Sequence, residues 1–366
     1  MIEIPAWMVE ILFTFGIFLI ITVSLNFEVG YAGIPQFGRV LAVLIGAIVA
    51  GAVPGRLLVA MFNVSVEYGG EEIVPIGADY ANHLINFRLV DRINNEILGV
   101  NPGLSIAMLI FTLLIAAVFG ALIGYLTSYP ALRLKEAYLG ITLLAFGDTL
   151  QLIARNEAGI VGGTQGVFIP NFFKWTGVGS IQITNKILAI LLISAIIFLL
   201  VELIGKSPFG RSLKAMRDSE AAAKVYGKDI SRLRGYTLMI GGALAAIGGA
   251  LYVSYTGSMD ARTFTRLTWT FWPWAFMMLG GTGNNVGMLV GVLFFALFRY
   301  IIVAYKTVLE GFIPINTAWL EYILIGLIIV AVSMFRPQGL IPEKPKTILK
   351  REEIEGVASS TSEEGA

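Results

Sequence analysis

The chain has 366 residues, 56% of them hydrophobic and 14% charged, with 41 glycines and a mean hydropathy of +0.78. Soluble domains hold roughly 45–50% apolar and about 25% charged residues, so a water-facing surface is excluded, as are a disordered chain and a disulfide scaffold. The net charge of +1 supplies no basic surplus for nucleic acid, the absence of cysteine removes thiol chemistry, and one histidine, His83, cannot build a histidine-rich metal site.

A membrane span needs about 20 mostly apolar residues to cross about 30 Å of hydrocarbon. Such runs lie at 7–27, 40–61, 104–128, 138–154, 187–205, 235–256, 287–304 and 318–335. A shorter ninth run, 266–281, leads into the turn-rich Gly280-Gly281-Thr282-Gly283-Asn284-Asn285 and is open between crossing and re-entry. The expected fold class is all-α, a polytopic integral membrane protein with eight or nine transmembrane helices in a single domain over 1–341. Met1-Ile2-Glu3-Ile4-Pro5 has no basic region and does not read as a cleavable signal.

Lys and Arg concentrate in cytoplasmic loops. Segment 206–234 holds Lys206, Arg211, Lys214, Arg217, Lys224, Lys228, Arg232 and Arg234 against three acids, which places it inside. Segment 62–103 then falls outside, with two basic residues and six acids, and reads as an extracytoplasmic insertion. The same count puts 129–137 inside, the Gly-rich 155–186 outside, the N-terminus outside and the C-terminus in the cytoplasm of a multi-pass protein of the cell membrane. The charged tail, 342–366, reads as disordered.

No catalytic constellation is visible. Gly205-Lys206-Ser207 ends like a phosphate-binding loop, but the leading glycine would fall at Leu200, inside an apolar span. H-E-x-x-H and G-x-S-x-G do not occur. Asp148 lies within a span, where a carboxylate is costly and faces a partner or water. It reads as a pathway residue or as a tie between helices, with Gln151, Thr142 and Thr149 nearby. Gly162-Gly163-Thr164-Gln165-Gly166 reads as a flexible turn at an external mouth, and Gly241-Gly242 and Gly248-Gly249 as helix-packing positions. Trp269, Trp272 and Trp274 suit an interfacial belt.

The strongest local signal is Ser207-Pro208-Phe209-Gly210-Arg211 through Gly227. A helix-favouring run from Arg211 to Arg217 precedes a second short helix capped by Asp218 or Ser219 and closed by Gly227. It reads as a docking knob or as a plain solvated loop.

This segment resembles the cytoplasmic loop of ABC importer permeases of the branched-chain amino acid class. That family carries a variant of the E-A-A-x-x-x-G motif, which inserts into its ATPase. Ala222, Ala223 and Gly227 take the A-A-x-x-x-G positions, Ala221 stands where the motif has glutamate, and Glu220 lies one residue earlier. Gly30-Tyr31-Ala32-Gly33, the block Leu132-Arg133-Leu134-Lys135-Glu136-Ala137-Tyr138-Leu139 with Ala145-Phe146-Gly147, Gly280-Gly281-x-Gly283, and Phe335-Arg336-Pro337-Gln338-Gly339-Leu340 are similar to further family blocks, in order, over 24–341. The larger of the family's two permeases is the nearer match.

The resemblance implies an ABC importer-type transmembrane domain that transports and is not an enzyme. It implies a coupling loop of Arg211, Lys214, Arg217, Glu220, Ala222, Ala223 and Gly227. The implied partners are two ATP-binding cassette subunits, a second related permease, an extracytoplasmic solute-binding protein and the bilayer, with no cofactor. The implied substrate is a branched-chain or other small neutral amino acid, with amides or urea as the family's alternative. An ion-coupled secondary transporter using Asp148 and a non-transporting scaffold are the competing classes.

Overall fold

The computed structural model describes residues 5–343 apart from 69, 76, 135 and 306–316. The expected tail at 342–366 lies outside the described residues from 344 onward, as do Met1 to Ile4 and Lys135.

Apolar runs of membrane length become helices because a helix satisfies every backbone polar group internally, as hydrocarbon requires. Helix α1 (Ala6–Asn26) continues through a π-helical turn, Phe27–Tyr31. Helix α2 (Arg39–Phe62) follows a short irregular loop. A small cap comes next: the hairpin β1 (Val66–Tyr68) and β2 (Glu71–Ile73), pairing Val66 with Ile73, then α3 (His83–Arg92) and a π turn at Ile93–Leu98. The cap has its own core, in which Tyr80, Leu89 and Ile93 pack against Leu58 and Phe172.

The rest of the bundle is α4 (Pro102–Arg133), α5 (Glu136–Asn156), the short α6 (Ala158–Val161), strand β3 (Val167–Phe168) and α7 (Ser180–Lys206). Two short helices, α8 (Pro208–Asp218) and α9 (Glu220–Val225), precede α10 (Ile230–Thr256). Strand β4 (Ser258–Met259), a π turn at Leu267–Phe271, α11 (Trp272–Gly280), α12 (Asn285–Ala304) and α13 (Thr317–Phe335) complete it. Helices α1, α2, α4, α7, α10 and α12 are long and apolar enough to cross a membrane. Helix α5, the segment ending in α11, and α13 run beside them.

Contacts fix the directions. Phe13 of α1 stacks on Tyr255 near the end of α10, while Glu28 lies against Gly241 nearer its start, so the two helices are antiparallel. Gly124 of α4 abuts Leu238 and Gly120 abuts Gly242, so α4 also opposes α10. One end of the bundle gathers the cap, where Arg56 donates to the carbonyls of Gly77, Gly159 and Ile160 and β3 pairs with β4. The other end gathers α8, α9 and residues 336–343. We call them the cap end and the loop end.

The ninth segment runs between the two ends of the bundle and is broken, and we call it the broken crossing. Residues 257–265 hold a strand and a 3-10 turn, and the helical part from Arg266 to Gly280 spans only about 21 Å at about 1.5 Å per residue. It begins beside Tyr252, which Trp269 meets edge-on, and ends at the loop end against Gly287. This geometry also corrects the reading of its tryptophans as an interfacial belt. Trp269 and Trp272 are 1% and 4% exposed. The break seats Trp269 between Phe18 and Phe264, and Trp274 stacks on Phe37.

Candidate functional site

The loop end is built from local capping signals. Ser207 caps α8 by accepting from the Gly210 amide, Pro208 occupies the first turn, and Ser219 caps α9 by accepting from the Ala222 amide. Gly227, at φ 75°, closes α9 in the left-handed conformation that glycine alone adopts freely, and its neighbour Lys228 donates to the Ala223 carbonyl. Leu213, Met216 and Ala223 turn inward and are buried. Ala222, Lys224 and Gly227 face out, and the tip is apolar, with Val225 and Tyr226 85% and 83% exposed.

The structure thus divides the residues singled out in this loop. Ala223, 3% exposed, packs against the bundle, whereas Ala222 faces outward. Glu220 accepts from Arg234, whose other nitrogen donates to the Ala131 carbonyl, so it ties α9 to the starts and ends of two spans. Arg211 donates to the Lys206 carbonyl. Lys214 and Arg217 point to the bundle, and both bind Glu343. Val225 and Tyr226 were not among the sequence candidates. Their signal was two bulky apolar residues placed just before the closing glycine of a polar loop.

Glu343 is the keystone of a clasp. Residues 336–343 turn back over the loop end, where Leu340 and Ile341 donate to the carbonyls of Leu279 and Gly280 and Asn284 donates to the Ile341 carbonyl. Arg217 lies 2.8 Å from Glu343 and also donates to the Gly30 carbonyl, and Lys214 sits 4.7 Å over the Tyr31 ring. Asn26 accepts from the Gly283 amide and donates to Asn285, which donates in turn to Glu202. The short loop, the end of α1, the α11–α12 turn and the clasp therefore form one bonded unit.

Burial presses the Glu343 carboxyl towards its neutral form, but the hydrogen bonds and charges of Lys214 and Arg217 outweigh it and hold the carboxyl below the usual carboxylate range. A depressed carboxylate contributes stability above its unfolded value and loses it as pH falls through the folded one. At pH 7, Glu343→Gln is expected to lower stability by about 1 kcal/mol, discounted for partial exposure. The difference from wild type should vanish well below about pH 4. Thermal unfolding of the purified protein across that range checks both halves.

Deeper in the bundle, Glu28 and Arg39 form a fully buried ion pair. Arg39 also donates to the carbonyls of Gly241, at 3.0 Å, and Ser24. It joins α1, α2 and α10 at one point. Neither residue was a sequence candidate.

Asp148 and Gln151 sit on α5, towards the broken crossing. Gln151 donates to the Ala261 carbonyl at 3.1 Å, and Arg266 donates to Asp148 at 3.2 Å. The pair is half exposed, 46% for Asp148 and 56% for Arg266. Thr142 and Thr149 bond instead to carbonyls of their own helix. The sequence reading set only Gln151, Thr142 and Thr149 near Asp148 and missed Arg266, which lies 118 residues away.

Comparison with known proteins agrees with this architecture. Residues 7–333 match the family model described as branched-chain amino acid transport system, permease component. The chain is 38% identical over 337 residues to the probable branched-chain amino acid transport permease protein LivM of Methanocaldococcus jannaschii, covering 92% of this chain and 93% of that one. It is 25% identical to the high-affinity branched-chain amino acid transport system permease protein LivM of Salmonella typhimurium, covering 80% and 69%. It is also 25% identical to the autoinducer 2 import system permease protein LsrC of Yersinia pestis, covering 65% and 64%. No solved structure matches it.

Proposed function

The chain belongs to the branched-chain amino acid transport permease family and is the membrane permease subunit of an ABC importer, and from that premise we propose that it carries a branched-chain or other small neutral amino acid inward. The relatives' names support that substrate class. ATP hydrolysis belongs to separate subunits. In this reading two such ATPases engage the loop end, a related permease lies alongside in the bilayer, and a solute-binding protein delivers its cargo to the cap end.

The Lys and Arg count supports a cytoplasmic loop end and an external cap, with the N-terminus outside and the C-terminus inside. Residues 1–341 are then the transporting domain, 62–103 an external insertion, 206–234 the coupling loop and 342–366 a cytoplasmic tail. Helices α8 and α9 take up the movement of the ATPases. Arg217, through Gly30 and Glu343, hands that movement to the end of α1 and to the α11–α12 turn. The bundle alternates between its two openings in response.

The observation that carries the coupling assignment is the tip of the loop. Val225 and Tyr226 leave apolar surface in water on an otherwise polar loop, which is what a docking anchor looks like. Val225→Asp and Tyr226→Asp are expected to leave the chain inserted and to weaken capture of the ATPases about tenfold or more. Copurification of the ATPases and substrate-stimulated hydrolysis in the reconstituted complex check this. Normal values for both variants, and for Gly227→Leu, would mean an ordinary solvated loop.

A further inference from the structure

The exposed faces of the spanning helices are not alike. On α4 the outward stripe is Ile106, Ile110, Leu114, Val118 and Leu122, and on α7 it is Leu188, Leu192, Ile196, Leu199 and Leu203. Both are wholly apolar, as a surface against lipid tails must be. The stripe on α5 reads Ile141, Ala145, Asp148, Leu152 and Arg155. Asp148 lies about 18 Å along the helix from its first residue and about 12 Å from its last, well inside the run 138–154 that the sequence reading places across the membrane.

Its partner completes the contrast. Arg266 starts the helical half of the broken crossing, so a guanidinium also stands at membrane depth, 56% exposed. Thr265 beside it and Thr149 beside Asp148 are exposed as well. Charged groups in that position face a water-filled cavity or a protein neighbour, not lipid. A pair whose only task is to bind two helices together would gain by being shielded, and this one is open on one side.

From this geometry we propose that Asp148 and Arg266 form a transit site for the backbone zwitterion of an amino acid, on the face of the permease that lines its translocation path. The inference rests on the amino acid importer reading above and names how the cargo is recognised during passage. A carboxylate and a guanidinium 3.2 Å apart present an acceptor and a fork of donors side by side. An α-amino acid presents an ammonium and a carboxylate on adjacent atoms. Its ammonium takes Asp148 and its carboxylate takes Arg266 as the protein's own pair parts, so one ion pair is exchanged for two. The side chain of the cargo is left towards the apolar neighbours Ala145 and Leu152, which select little. The site therefore reads the common backbone and leaves side-chain choice to the binding protein.

The native chain has no cysteine, so a single introduced thiol, read against the complex of the native chain, reports its own position. In the complete complex in proteoliposomes, Ala145→Cys is expected to react with a charged, water-soluble methanethiosulfonate, and leucine is expected to slow that reaction. An unreactive thiol means a lipid-facing surface and overturns the proposal, as does reactivity that no zwitterionic amino acid changes. Because side-chain choice lies with the binding protein, protection by a charged or aromatic amino acid and not by leucine or another small neutral one sinks the substrate reading and supports the site.

Charge variants give the second arm. Asp148→Asn and Arg266→Gln are each expected to copurify with the partner subunits and to lower leucine uptake about tenfold or more. The reversed pair, Asp148→Arg with Arg266→Asp, separates site from tie. A tie is indifferent to which helix carries which sign, whereas a cargo of fixed polarity must turn round in a shaped path. Uptake recovered by the reversed pair overturns the proposal, and uptake still lost supports it. Should the charge variants fail to assemble, the thiol measurement decides alone.

Discussion

Arg39→Met is expected to lower the stability of the folded chain by about 3–5 kcal/mol, because it leaves the Glu28 carboxyl buried without the guanidinium that compensates it. Both side chains are shut off from solvent at the meeting of α1, α2 and α10. The carboxylate fits only because α10 has no side chain at Gly241, where an added Cβ would stand 1.9 Å from Glu28 Oε1. Glu28→Gln should be damaging for the converse reason, since it strands the guanidinium. The double variant, Glu28→Gln with Arg39→Met, should regain most of the loss, because a buried ion pair removed as a unit is often neutral or even favourable. Unfolding midpoints of the detergent-purified protein give the comparison. A double variant as unstable as the sum of the singles would show that the two residues act separately and that the pair is not the unit of stability.

That pair also marks where the sequence stops being readable. Spans drawn at 7–27 and 40–61 leave Glu28 and Arg39 as ordinary flanking charges on a short loop. The chain instead prolongs α1 by a π turn to Tyr31 and folds 32–38 back into the bundle, where Trp274 donates to the Gln36 carbonyl. Hydropathy windows record how apolar a run is, and a helix prolonged by polar residues that find each other is invisible to them. The spans themselves were legible for the opposite reason: long apolar runs have no other way to satisfy their backbone. Observed helices exceed the expected runs mainly at polar ends, as where α7 begins at Ser180 rather than at 187.

The functional surfaces follow the same division. Capping residues and a closing glycine are local, so the two short helices could be read in outline: the first, expected at 211–217, begins at Pro208, and of the two caps weighed, Asp218 and Ser219, it is Ser219 that caps the second. What those helices touch is not local. Glu343 is separated from Lys214 by 129 residues and Arg266 from Asp148 by 118. Charges so placed carry no pattern that periodicity can detect. The tryptophans failed differently. Trp near the end of a span suggests an interface, but the broken crossing turned Trp269 and Trp272 into the aromatic core.

Helix packing offers the second large effect, and within one helix it predicts opposite outcomes for one substitution. Lipid gives helices no hydrophobic reason to associate, so they depend on close approach through small residues. Gly124 of α4 meets α10 at the backbone: an added Cβ would stand 2.1 Å from the Leu238 carbonyl oxygen and 3.1 Å from the Met239 Cα. Neither atom can rotate away, so the helices themselves would have to part, and Gly120 against the Gly242 carbonyl resists that a turn away. Gly124→Ala is expected to cost about 1–3 kcal/mol, and Gly124→Val more, as overpacking does. Gly103, in the first turn of the same helix, has nothing within 4 Å of where its Cβ would be. Gly103→Ala is expected to be neutral or to stabilise by up to about 1 kcal/mol, since alanine loses less backbone freedom in a helix. Thermal unfolding and the monodisperse fraction after heating, measured on both variants in the same detergent, check the pair. Equal shifts at the two positions would mean that α4 and α10 are not held at backbone contact through Gly124.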